Sequence, residues 1–140
     1  MNKRRLAREV CFKFFFHFQL PIFEKPITDI NFENIQSEFY DFCADLELDQ
    51  KEFAYKNIES TLKNKDQIIS ICYKMLKNWK FERLSKVDQT ILLLYSNELL
   101  HFPNVPKGIV INEAIELAKK FGTENSAKFI NATLDKITLK

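Results

Sequence analysis

Two glycines in a chain of 140 residues constrain the fold more than any other feature. Ordinary usage of about 7% would supply roughly ten. Hairpin turns, phosphate-cradling loops and dinucleotide-binding turns all draw on backbone conformations that glycine adopts most cheaply. A chain this poor in glycine is therefore not expected to build them, and helices joined by short loops are what remains. With 46% apolar and 29% charged residues, the chain can bury a core. A length of 140 residues suits one domain, expected to span residues 1–140.

Hydrophobic periodicity agrees. Residues 3–19 form a first helix, stopped by Pro21, with Leu6, Ala7, Val10, Cys11, Phe14 and Phe18 on a broad core face. Residues 20–30 form a loop containing Pro21 and Pro26. A second helix over about 31–47 carries Phe32, Ile35, Phe39, Phe42 and Leu46 at three- and four-residue steps. A third starts at Asp49, whose carboxylate and Glu52 suit a capping pair, and buries Phe53, Ala54, Ile58 and Leu62. A fourth restarts at Asn64–Gln67 and runs through Ile68, Ile69, Cys72, Met75, Leu76 and Trp79. Ser85 caps a fifth that is apolar on every side, as suits the middle of a bundle. Pro103 and Pro106 end it. A sixth, about 109–121, turns Ile111, Ala114, Ile115 and Ala118 inward and ends at Gly122 as a left-handed cap. A seventh, capped by Asn125 or Thr123, buries Phe129, Ile130, Leu134 and Ile137. The expectation is an all-α, seven-helix bundle made of two small sub-bundles in one compact domain.

Little in the chain suggests catalysis. No nucleotide-binding or nucleophile-elbow motif is present, and His17 and His101 lack partners at ligand spacing. Glu113 and Glu116, followed by Lys119 and Lys120, fit ordinary surface pairs along a helix. Cys11, Cys43 and Cys72 lie on apolar stripes and are expected to be reduced core thiols. The longest apolar run, residues 91–95, is far short of the ~20 residues of a membrane span. No signal peptide is expected either, because charged and polar residues interrupt the Phe-rich N-terminus. A cytoplasmic protein without metal or cofactor is the expectation.

Charge is laid out unevenly. Residues 1–23 carry a net +4, residues 24–66 a net −6 and residues 67–140 a net +4. Basic ends attract polyanions. Three of the 4 arginines, Arg4, Arg5 and Arg8, fall in the first eight residues. Arg5, Arg8, Phe12 and Phe16 share the face of the first helix opposite its core side. Guanidinium forks grip phosphates and exposed rings stack on unpaired bases, so this face suits single-stranded RNA. The competing reading packs Phe12 and Phe16 under a neighbouring helix. Around Gly122, helix-start N–H groups near Asn125, together with Lys119, Lys120 and Lys128, form a second donor-rich, basic feature. Taken by itself, plain capping is the favoured reading of it.

Arg4-Arg5-Leu6-Ala7-Arg8-Glu9 resembles the arginine-rich opening of the NusB transcription antitermination factors. Trp79 through Leu84, Asp88, Ile91-Leu92 and Glu98-Leu99 resemble that family's central helix. Val105-Pro106, residues 111–122, Lys128 through Asn131 and Leu134-Asp135-Lys136 are similar to its C-terminal signature. The likeness covers essentially the whole chain, in order, and is weakest over residues 20–75.

The resemblance implies a protein without catalysis that binds the boxA element of ribosomal RNA transcripts, together with the ribosomal protein NusE, and supports RNA polymerase elongation complexes. It places RNA contacts on Arg4, Arg5, Arg8 and Phe16, and on Phe121, Asn125, Ser126 and Phe129, to which their basic neighbours Lys3 and Lys128 are added. It places Glu82 and Asp88 near the NusE-facing side. Phe16 stands where the family usually has Tyr, Asn125 where an acidic residue is common, Leu93 where Arg is frequent and Ala132 where Gly is frequent. The alternative from another class is a helical interaction module or homodimer whose basic face is buried in the contact.

Overall fold

The computed structural model describes residues 3–19, 26–77 and 80–138. The expected roles of Pro21 and Trp79, and of the Phe18 side chain, lie outside what is described. Seven α-helices make up the described fold: α1 (Lys3–Phe14), α2 (Phe32–Phe42), α3 (Leu48–Lys63), α4 (Lys65–Met75), α5 (Lys86–His101), α6 (Lys107–Phe121) and α7 (Ser126–Thr138). Short 3-10 turns at Ile27–Asp29 and Phe81–Arg83 join them, and no strand occurs among the described residues.

The helix starts follow local chemistry. Ser85 Oγ accepts the Asp88 N–H at 3.1 Å and opens α5, as the sequence predicts. At α3 the expected pair of Asp49 and Glu52 is two positions late. The helix begins at Glu47, whose N–H donates to Gln50 Oε1 at 2.9 Å. Gln50 Nε2 also donates to the Lys3 carbonyl, tying the start of α3 to the start of α1. Helix α2 stops at Phe42, short of the expected 47, and Phe42 is 39% exposed with its ring centre 5.5 Å from that of Phe14. The first helix continues beyond α1 as a π-helical turn over Phe15–Gln19.

The core is organised around α5. Every residue from Thr90 to Glu98 is buried, and α5 packs against α1 and α3 on one side and α4, α6 and α7 on the other. One apolar cluster therefore joins both groups of helices. Cys11, Cys43 and Cys72 are free thiols within it. Burial pushes the Cys11 thiol well up and the Cys72 thiol to about 11, so neither is poised as a thiolate.

Gly122 does not end α6 in the left-handed conformation. Its φ is −93° and its ψ −170°, an extended geometry open to any residue. Space is what requires glycine there. A Cβ would lie 2.5 Å from Ser126 Oγ and 2.7 Å from the Ala118 carbonyl oxygen. The absent side chain lets α7 begin directly against the end of α6.

Candidate nucleic-acid interface

The arginines of α1 have different environments. Lys3 pairs with Glu47 at 2.7 Å, and the Arg4 guanidinium lies 4.5 Å from the Phe53 ring centre, so both lean toward α3. Arg5 leans the other way, its Nε donating to Glu113 Oε2 of α6 at 2.9 Å while its side chain stays 55% exposed. Arg8 departs from the helical wheel, which turns it outward. It is 5% exposed, with Nη2 donating to Glu98 Oε2 at 2.6 Å and Nε to Glu98 Oε1 at 3.1 Å. Its Nη1 faces Glu113 Oε1 at 3.7 Å. Burial alone would disfavour the charged guanidinium, but the hydrogen bonds and charge of Glu98, aided by Glu113, outweigh it and hold the proton more firmly than usual.

Phe12 is likewise buried rather than outward-facing. Its ring stacks on Phe16 at 5.7 Å and on Phe121 at 5.0 Å, so α6 covers the middle of the face that the wheel leaves open. Phe16 and Phe121, expected from separate ends of the sequence to share a surface, flank this one ring and are each partly exposed. Lys120 Nζ lies 5.5 Å and Lys13 Nζ 5.9 Å from the Phe121 ring centre. Both lysines reach Glu9, at 2.7 and 3.3 Å. A cleft of about 340 Å³ separates α1 from α6, lined by Arg5, Arg8, Glu9, Glu113, Lys119 and Lys120, with Tyr95 of α5 also contributing.

At the α6–α7 turn, Asn125 and Lys128 are exposed and Phe129 is partly buried. Ser126, expected to contact RNA, is 1% exposed and corrects that expectation. Its Oγ accepts the Thr123 N–H at 3.0 Å, so the hydroxyl closes the turn. Of the two residues expected near a partner, Glu82 is exposed and accepts a hydrogen bond from the Tyr73 hydroxyl. Asp88 is half-buried in the first turn of α5.

The sequence pattern alone gives Glu98 no ion-pair role and makes Glu113 a surface residue, whereas both are buried. Only the Glu116–Lys119 contact, at 3.8 Å, behaves as such a pair. The signal was present in the spacing. Glu113 lies three residues after Val110 and four before Leu117, on the buried stripe of α6. Glu98 lies four after Leu94 in a helix apolar all round. A carboxylate on such a stripe needs a buried cation, and the basic start of α1 supplies one.

A central helix packed against five others, internal carboxylates engaged with arginines, and rings and cations left at the surface together describe an all-helical binding domain. The chain belongs to the NusB family, whose family model matches residues 4–139. It is 37% identical over 139 residues to the transcription antitermination protein NusB of Natranaerobius thermophilus, covering 96% of this chain and 93% of that protein. Among solved structures, Thermotoga maritima NusB superposes with a TM-score of 0.83 at 32% identity, over 98% of this chain and 91% of that one. A crystal structure of the antitermination factors NusB and NusE in complex with dsRNA shares the fold, with a TM-score of 0.80 at 24% identity, over 99% of this chain and 98% of that one.

Proposed function

We propose that this chain is a transcription antitermination factor, a binding protein and not an enzyme. It takes the boxA element of ribosomal RNA operon transcripts as single-stranded RNA, together with the ribosomal protein NusE, and thereby supports elongation by RNA polymerase in the cytoplasm. The observation that carries this reading is the stack of Phe16, Phe12 and Phe121, with Lys13 and Lys120 beside it. Rings that present an edge or face to solvent stack on bases, and cations beside them follow the backbone. Membership of the NusB family supports it. Residues 1–140 act as one domain.

Within this reading the RNA surface comprises Lys3, Arg4, Arg5, Phe16, Phe121, Asn125, Lys128 and Phe129. Arg8 and Ser126 sit beneath that surface, one holding α1 to α5 and the other closing the α6–α7 turn. Glu82 and Asp88 face NusE.

A gel-shift titration with a boxA RNA, with and without NusE, tests the proposal. Arg4→Glu combined with Lys128→Glu reverses two exposed charges while leaving the Arg5–Glu113 and Arg8–Glu98 contacts in place, and should abolish the shift. The logarithm of affinity should fall by about 0.7 per log unit of salt for each phosphate neutralised. Unchanged binding by the double variant rejects the surface. Glu82→Lys should weaken NusE capture while leaving RNA binding alone.

A further inference from the structure

We infer that Glu113 is a positioning residue for RNA recognition, holding Arg5 from behind so that its guanidinium meets phosphate in a fixed orientation. The inference rests on the RNA reading above and assigns a role to a residue on a helix remote in sequence from the arginines.

Three observations combine. Glu113 has a side chain only 5% exposed, and it reaches from α6 to both Arg5 and Arg8 of α1. Its Oε2 accepts the Arg5 Nε hydrogen at 2.9 Å, whereas its Oε1 is buried and accepts no hydrogen bond among the described residues. The second cation near it, Arg8 Nη1, stays at 3.7 Å because Arg8 commits its Nε and Nη2 to Glu98. The buried carboxylate thus depends on Arg5 for a hydrogen bond. Letting Arg5 swing away would strand a buried charge, an expensive change. Arg5 is anchored although more than half of it faces solvent.

The contact geometry shows what anchoring achieves. A guanidinium is a planar fork, and a carboxylate on its Nε edge fixes the plane of the whole group. A phosphate arriving from the cleft side meets a donor that has already lost its rotational freedom, so less entropy is lost on binding. Glu98 extends the chain of support one step deeper: Glu98 fixes Arg8, Arg8 and Arg5 flank Glu113, and Glu113 fixes Arg5. Three helices, α1, α5 and α6, contribute to the orientation of one surface residue.

A double-substitution cycle on the full chain tests this, read by fluorescence anisotropy with a labelled boxA RNA at several salt concentrations. Glu113→Gln keeps shape and should weaken binding about tenfold, the size of one charged hydrogen bond. Its salt slope should fall by about 0.7, as though one phosphate contact were lost. In an Arg5→Gln background the same change should cost less than about twofold, because the residue it positions is already gone. Equal losses in both backgrounds, or tighter binding by Glu113→Gln, overturn the inference. No loss on Arg5→Gln alone overturns the RNA surface itself, and the positioning role with it. A measurement on the unsubstituted protein guards against misfolding of the variants. The Arg5 Nε–H resonance should stay protected from solvent exchange both free and RNA-bound, and loss of protection on binding RNA would show a contact that breaks rather than one that positions.

Discussion

Arg8 of α1 and Glu98 of α5 form a buried ion pair with contacts of 2.6, 3.1 and 3.2 Å, both side chains nearly sealed from solvent. The pair joins the first helix to the central one across 90 residues of sequence. Removing one partner leaves the other charge buried without compensation. Arg8→Gln should therefore destabilise the fold by about 3–5 kcal/mol, measured by urea unfolding. Lys3→Gln, which breaks the exposed pair with Glu47, should leave the midpoint unchanged. Similar midpoints for the two variants would refute a structural role for Arg8.

The two glycines make opposite predictions. Gly122→Ala drives a Cβ into the Ser126 side chain that closes the α6–α7 turn and into the backbone carbonyl of Ala118. It should cost about 1–3 kcal/mol. A Cβ at Gly108, in the first turn of α6, meets nothing within 4 Å. Gly108→Ala should stabilise by about 0.4–1 kcal/mol through the unfolded chain. Urea midpoints moving in the same direction would contradict the spatial account.

Much of this was legible in the sequence, and the reasons for the rest are physical. Glycine poverty and the three-to-four periodicity predict seven helices, because helix faces are written locally. The all-round apolarity of α5 predicts its central place for the same reason. The burial of Arg8 and Phe12 is not legible on a wheel, because a wheel shows one helix alone. It separates the two faces of α1 without showing that α6 covers part of the second. The pairing of Glu98 and Glu113 is not legible locally because their partners lie 90 and 108 residues away. Gly122 stands out in the sequence as a helix cap, but close approach between two helices, which leaves no trace in a capping pattern, is what requires it.

The aromatic stack divides by burial. Phe12 is sealed between Phe16 and Phe121, so Phe12→Ala should cost about 3–5 kcal/mol of stability, as large core truncations do. Phe16 is partly exposed at the end of the stack. Phe16→Ala should lose about 1–3 kcal/mol of RNA affinity if a base stacks there, with a smaller stability loss than Phe12→Ala. Phe16→Tyr keeps the ring and should bind at least as well as the parent. Calorimetric melting alongside RNA titration separates the two effects, and an unaltered affinity for Phe16→Ala would remove that ring from the RNA surface.

Glu9 sets an acid limit on the joint between α1 and α6. Partial burial opposes its charge, but Lys120 and Lys13 more than compensate and hold its carboxyl below the ordinary 4.5. A carboxyl held down on folding contributes stability above its unfolded pKa and loses it as pH falls through the folded value. The Glu9–Lys120 contribution should thus be intact at pH 7 and disappear progressively below about 4.5. Lys120→Gln removes one of its two lysine partners. This variant should be less stable than the parent at neutral pH, with the two stability curves converging or crossing as acid protonates Glu9. A difference that stays constant from pH 7 to strong acid would show that Lys120 stabilises the joint by packing its stem rather than by its charge.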